Sequence, residues 1–461
     1  MGLPFVGASG QELNRMLADA GIMRNECFVT NVIRVRPPGN EISAFIAARK
    51  ADVTAQHGLI RDKMVLPCVW EGIDLLKREI ELCRPNVIIA LGGTALWALC
   101  GKDGITSWRG SLLETDLPLG LDYKPKVIPT YHPALILRQY NWRPIAVSDL
   151  KRAREHAKSS AIVRPNYDFI IRPSFEAALH TIQLLRSICD HRQVPLAVDI
   201  ETRAGHIACI GFAWSKLEAL CIPLLCVERQ DGYWMPEEEA VLMHELYLLL
   251  THPNCQVIGQ NFLYDAQYFY RWLGYIPNVV KDTMIAQHTC FSNMPKALDF
   301  LSSMYCEHHL FWKDDGKTWD ASTGEEQLWQ YNCVDAVVTF EVAQAEEKVI
   351  ADLTPSWPQL PAIQAFQQEL FWPVLKTMNR GIRVDTARRA RFALELIEEI
   401  SKRESWLFDV LGFPVNIKSP KQMKELFYEV LGERPIFDRK TGGITTNDEA
   451  LGKIADREPL L

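Results

Sequence analysis

The chain has 461 residues, 48% of them apolar and 23% charged. That composition excludes global disorder, and the length suggests about three domains at roughly 150 residues each. The longest apolar runs, such as residues 220–227, fall well short of the ~20 residues that cross a bilayer, so no membrane partner is expected. The opening Met1-Gly2-Leu3-Pro4 has neither a basic region nor a long apolar core, which argues against a signal peptide. Twelve cysteines without a C-x-x-C pair read as reduced, mostly buried thiols of a cytoplasmic protein. Charge is uneven: residues 1–160 carry a balance of +5 and residues 161–461 one of −12. The basic first part can face phosphates, whereas the acidic remainder needs local basic patches or bound cations to do so.

Three segments follow one another along the chain. In the first, to residue 160, runs rich in β-branched residues at 27–35, 85–91 and 126–130 read as buried strands. Amphipathic stretches at 10–20 and 71–82 read as helices between them. Alternation of this kind predicts an α/β domain with a parallel sheet. A basic helical stretch, 149–159, then leads to a linker near Pro165.

The second segment, 165–350, opens with a helix at 174–188 and a strand at 195–200. Runs at 206–214 and 219–225 continue it as an antiparallel meander. Residues 236–250 predict a helix, with three glutamates near its start where the helix dipole favours them. A short strand at 255–259 runs directly into another helix. The third segment, 351–461, is helical in pattern, with long runs at 364–379 and 385–411, one more helix at 419–431, and a polar turn at Thr441-Gly442-Gly443.

The second segment carries the chemistry. Asp199 and Glu201 are two apart on one strand, so both side chains project from the same face. Asp265 lies one turn into the helix after the 255–259 strand. Tyr331 and Asp335 are four apart, which places phenol and carboxylate on one helical face. Each acid sits in or beside an apolar stretch, where a solvated surface acid is not expected. Converging carboxylates repel, each pair at ~4 Å costing roughly 1 kcal/mol in water and several-fold more when partly buried. Two divalent cations resolve that conflict, and oxygen-only ligands favour Mg²⁺ or Mn²⁺. Such a pair activates water and stabilises the leaving oxygen of a phosphodiester.

With Asp199-Ile200-Glu201-Thr202, residues 259–265 (GQNFLYD) and Tyr331 through Asp335-Ala336 in this order, residues 190–350 resemble the proofreading exonuclease domain of family A DNA polymerases. Asp282-Thr283-Met284 and Leu298-Asp299-Phe300-Leu301 resemble its spacer elements. The resemblance implies a ribonuclease-H-like fold and two metal ions, with Asp199 bridging both. Glu201 and Asp335 would complete one site and Asp265 would hold the other. Tyr331, with Glu201, would orient the attacking water. Asn261 would position the terminal nucleotide, with Gln260 and Tyr264 beside it on the DNA. The implied partner is a single-stranded 3′ end or a primer-template.

Residues 372–375 (WPVL), 380–385 (RGIRVD), 419–422 (SPKQ) and 442–446 (GGITT) resemble the entry to a family A polymerase and its thumb. No palm or fingers follow, so polymerisation by this chain alone is not expected, and a separate palm-and-fingers polypeptide is a candidate partner. A helical bundle that merely packs on the exonuclease is the alternative for this part.

The first segment resembles family-4 uracil-DNA glycosylases, which are fused upstream of some phage polymerases. The matching residues are 2–7 (GLPFVG), Thr30-Asn31-Val32, residues 36–40 (RPPGN) and residues 130–134 (TYHPA). The resemblance implies a uracil pocket in which Phe5 stacks on an extruded base, Asn31 reads its edge and His132 stabilises the departing uracil. Leu137-Arg138 would press into the emptied duplex position. The family's first glycine-rich motif, with its acidic catalytic residue, would precede Gly2. Its iron–sulfur cysteines are not reproduced either, since Gly72 stands where one is expected and Cys27, Cys83 and Cys100 read as buried thiols. An iron–sulfur cluster is therefore not expected, and a DNA-binding or vestigial glycosylase domain is favoured over an active one. His308-His309 near Cys306 reads as a solvated turn, and Arg388-Arg389 as a solvated helix face.

Overall fold

The computed structural model describes residues 4–47, 52–229, 231–314, 324–438 and 443–457. Gly2, Leu3 and the Thr441-Gly442 part of the polar turn lie outside them. The chain forms two compact units, residues 1–379 and 380–461.

The first unit begins with a mixed α/β layer. A short hairpin, β1 (Gly58–Ile60) and β2 (Lys63–Val65), precedes a three-stranded sheet of β3 (Val87–Leu91), β4 (Leu113–Glu114) and β5 (Lys126–Thr130). Its order is β3-β5-β4, with β3 and β5 parallel and β4 antiparallel. The Pro67–Cys83 and Gly93–Cys100 helices bury Val69, Ile73, Leu76, Leu96 and Trp97 in one core. The Ala8–Asp19 and Arg143–His156 helices bury Leu13, Met16, Ile145 and Leu150 in another.

Residues 27–35 form no strand. They follow a short 3₁₀ turn, Arg24–Glu26, as irregular backbone, with Phe28 and Val35 exposed. Their β-branched residues serve as plugs instead: Val32 and Ile33 are buried against the Pro67–Cys83 helix. Gly72 allows this, because a Cβ there would sit 2.1 Å from the Val32 carbonyl oxygen. Cys100 is buried as expected, but Cys27 is half-buried and Cys83, at the end of its helix, is exposed.

The second α/β layer is a six-stranded sheet. Its strands are β6 (Asp168–Ile170), β7 (Val194–Arg203), β8 (His206–Ala213), β9 (Glu218–Pro223), β10 (Cys255–Gly259) and β11 (Val279–Asp282), in the order β11-β10-β7-β8-β9-β6. β7, β8 and β9 are antiparallel neighbours, and β10 runs parallel to both β7 and β11. The period of two along β7 divides its side chains. Leu196, Val198 and Ile200 join a core with the Phe175–Cys189 and Pro236–Leu250 helices. Ala197, Asp199 and Glu201 face the other way. On that face the residues are small: Ala197, Cys209, Gly211, Ala213, Ala219 and Cys221. A flat, small-residue surface lets the long Glu326–Leu353 helix lie close, burying Trp329, Cys333, Ala336, Val337 and Phe340.

The run expected as one helix over 364–379 is two, Leu360–Glu369 and Phe371–Arg380. Pro373 has no N–H to give the carbonyl four residues back, at Glu369, and the helix breaks there. In the second unit, the Thr386–Leu411 helix is capped by Asp385, whose side chain accepts from the Arg388 N–H, and buries none of its residues. Arg388 and Arg389 are exposed on it, as expected. No helix among the described residues is long and apolar enough to cross a membrane.

Candidate active site

Three separate elements deliver the four acids of the second layer. β7 presents Asp199 and Glu201, paired across to Gly211 and Cys209 of β8. The Glu326–Leu353 helix lays Tyr331 and Asp335 over the same face. Carboxylate oxygens of Asp199, Glu201 and Asp335 all lie within 4.8 Å of one another, a spacing suited to a metal ion. Asp265 is outside that group of three. It is buried, and its Oδ1 accepts the Ile200 N–H of β7 at 3.0 Å. Burial, with Asp335, Asp265 and Glu201 around it, drives the Asp199 carboxyl well above the usual carboxylate range. Burial and Asp335 push Glu201 up to about 7. Such a cluster without a bound cation favours protons, so the donor set fits divalent metal ions.

The turn from β10 into the Leu263–Tyr268 helix is built by Asp282. This buried carboxylate accepts the N–H of Asn261 (3.0 Å), Phe262 (2.8 Å) and Met284 (2.9 Å). Asn261 is thereby held in the left-handed region at φ 55°, which asparagine tolerates, and its side chain is exposed. The Gln260 amide is occupied inside the protein, donating to the Lys296 carbonyl at 2.8 Å and accepting from Thr283. Tyr264 is exposed, its hydroxyl 2.8 Å from Thr202 and 3.3 Å from the Tyr268 hydroxyl.

Three neighbours went unread in the sequence. Asn332, fully buried, donates to Asp199 Oδ2 at 2.8 Å and fills the space over Gly211, where a Cβ would meet its Oδ1 at 2.3 Å. Trp312 donates its indole N–H to Asp335 Oδ1 at 2.6 Å. Lys313 donates to Asp335 Oδ2 at 2.5 Å and to the Tyr331 hydroxyl at 2.9 Å. Burial and the Asp335 charge push the Tyr331 phenol up, so it keeps its proton. With Lys313 donating to its oxygen, that proton is free to point at a further acceptor. Asn332 was legible as the neighbour of Tyr331. Trp312 and Lys313, about twenty residues upstream, had no periodic signal.

In the first layer, Phe5 and His132 come together, their rings 5.5 Å apart, just past the carboxyl end of β5. His132 caps the Pro133–Arg138 helix, its Nδ1 accepting the Ala134 N–H at 3.1 Å. That bond fixes the neutral tautomer with its proton on Nε2, and burial with nearby Arg138 lowers the imidazole below its usual range. Asn31 is exposed on the irregular stretch, and Leu137 is exposed beyond His132. Gly72 stands at the expected cluster-cysteine position, where a Cβ would meet the Val32 carbonyl oxygen at 2.1 Å.

The 306–309 segment is not a solvated turn. Cys306 and His309 are buried, with His309 Nδ1 3.0 Å from the Ser302 hydroxyl. They lie where the two α/β layers meet, and burial removes them from solvent.

Comparison with known proteins follows this division. Residues 1–154 match the uracil DNA glycosylase superfamily, and residues 177–351 match a 3′-5′ exonuclease family. The type-4 uracil-DNA glycosylase of Thermotoga maritima is 32% identical over 161 residues, 34% of this chain and 70% of that protein. DNA polymerase I of Pseudomonas aeruginosa is 25% identical over 386 residues, 77% of this chain and 40% of that protein. Among solved structures, the POL domain of Pol1 from M. smegmatis aligns with 63% of this chain and 46% of its own, at 18% identity and a TM-score of 0.40.

Proposed function

From a chain that belongs to the uracil-DNA glycosylase superfamily through residues 1–154 and carries a 3′-5′ exonuclease domain over residues 177–351, we propose a metal-dependent enzyme that removes nucleotides from DNA 3′ ends. The observation that carries this is the gathering of Asp199, Glu201 and Asp335 within 4.8 Å, with Tyr331 on the helix of Asp335. Asp199, Glu201, Asp335 and Asp265 would hold two Mg²⁺ or Mn²⁺ ions, which when bound would supply charge neutralisation and Lewis acidity at the scissile phosphate. The chain's own groups do the rest. Tyr331 turns its phenolic proton toward the attacking water, Asn332 fixes Asp199, and exposed Asn261 and Tyr264 receive the terminal nucleotides. Gln260 supports this turn from within.

We read residues 1–160, 165–350 and 351–461 as three parts, with proofreading for a family A polymerase proposed for the middle part and entry into the thumb for the last. The first part grips DNA at an extruded base, a reading favoured by the Phe5–His132 pair. His132→Ala should weaken binding to a uracil-containing single strand, and unchanged affinity would remove that pocket from the account.

The central test is Asp199→Ala, which should abolish release of mononucleotides from a single-stranded 3′ end while the chain stays folded. EDTA should do the same, reversibly. Undiminished cleavage by the variant would refute the site.

A further inference from the structure

The glycosylase-like layer and the exonuclease layer belong to one compact unit, and the place where they touch leads straight into the candidate active site. On the first layer's side, Arg109 and Asp149 form a buried ion pair, and Arg109 donates to the Ser303 hydroxyl at 2.7 Å. Arg152 donates to the carbonyls of Ser303, Cys306 and Glu307 at 2.9–3.0 Å. These arginines seat the Leu298–Tyr305 helix and the chain that leaves it. That chain is then gripped again. The Leu112 N–H donates to the His309 carbonyl at 2.8 Å, and the Phe311 N–H donates to the buried Ser111 hydroxyl at 3.1 Å. Trp108 packs edge-on against Phe311 with ring centres 5.2 Å apart. The next two residues are Trp312 and Lys313, whose donors reach both oxygens of Asp335 and the hydroxyl of Tyr331.

We propose that the glycosylase-like domain is a structural part of the exonuclease centre, with Ser111, Leu112 and Trp108 as positioning residues that set Trp312 and Lys313 on Asp335 and Tyr331. The proposal rests on the exonuclease reading above. It gives the first domain a role in 3′-end cleavage that requires no chemistry of its own. The mechanism is local: a backbone held by hydrogen bonds at residues 309 and 311 has little freedom left at 312 and 313. The indole and ammonium donors, held against Asp335 and Tyr331, fix which carboxylate oxygens and which phenolic proton face the substrate, and a shift of about 1 Å is enough to lose that arrangement. Rates at such centres are sensitive to displacements of that size.

The test uses the full chain and steady-state digestion of a short oligonucleotide at saturating Mg²⁺, checked by single-turnover rates, well below each variant's thermal midpoint. Ser111→Ala removes the acceptor for the Phe311 N–H, and Trp108→Leu removes the ring packed on Phe311. Each should lower kcat about 3–10-fold, the effect of losing one net hydrogen bond, with KM for the oligonucleotide unchanged. In a Trp312→Phe background, which loses the indole donor, each should lower the rate by less than it does in the wild type, because only the Lys313 donor is left to be placed. A purely architectural role would instead give losses that multiply with that of Trp312→Phe. Wild-type kcat in both first-domain variants, multiplying losses, or a wild-type rate in Trp312→Phe would overturn the proposal. Asp199→Ala, run alongside, separates the two claims. If it cleaves normally the exonuclease reading fails; if it is dead while the first-domain variants are normal, only this proposal fails.

Discussion

Tyr331 and Asp335 occupy one face of a helix, and Lys313 donates to both, leaving the phenolic proton of Tyr331 to point at a further acceptor. Tyr331→Phe removes this proton and keeps the ring. Single-turnover digestion at saturating Mg²⁺ should slow on the order of 10–10³-fold, with oligonucleotide affinity little changed. A rate equal to wild type would leave the acids to act without the tyrosine. Glu201 gives a second expectation. Its carboxyl, raised to about 7 by burial and Asp335, is largely protonated at pH 6 and largely ionised at pH 8. Cations bind the ionised form, so Mn²⁺ affinity should rise from pH 6 to pH 8, with proton release on binding. The same raised value makes the metal-free chain lose stability as pH climbs from the ordinary carboxylate range through about 7, because the folded state binds the extra proton there. Calorimetric titration with Mn²⁺ at the two pH values checks the first statement. An affinity independent of pH would show that Glu201 is ionised before metal arrives.

At the scale of elements, the site depends on how closely one helix approaches one sheet. Gly211 on β8 lies under Asn332, and the small residues around it permit that approach. Gly211→Ala should push Asn332 off Asp199, cost about 1–3 kcal/mol in unfolding free energy by overpacking, and reduce the exonuclease rate. Denaturant unfolding together with the cleavage assay would detect both, and a fully stable, fully active variant would contradict the account. Much at this scale was legible. The strands 195–200 and 255–259 are legible as short apolar runs, the helix at 236–250 from the glutamates at its start, and the common face of Asp199 and Glu201 from the period of two. What was not legible has physical causes. The 27–35 run has strand composition but no partner strand, so its apolar residues act as plugs. The break before Phe371 needs the missing N–H of Pro373 to outweigh an otherwise continuous amphipathic pattern. Asp282 stands in the sequence only as part of a spacer element, and only the fold reveals that it caps the next helix and holds the turn carrying Asn261.

Across the whole molecule, the join between the two α/β layers is what no local pattern could announce, since Arg109 and Ser303 are 194 residues apart. That join includes a buried ion pair, three carbonyls held by Arg152, and Met294, Phe300 and Met304 packed on the first layer's core. Residues 161–167, by contrast, are irregular, and most of them are exposed. A protease site placed within 162–165 should therefore be cut readily, and the two pieces should still co-elute at micromolar concentration. Separate elution would show that the join is weaker than its buried groups suggest. A tether between two modules contributes mainly by keeping their local concentration in the millimolar range. Where the modules already grip one another through desolvated guanidinium groups, that contribution is redundant. On that expectation two separately made polypeptides would meet in the same register, and the covalent link between them would add little to the join.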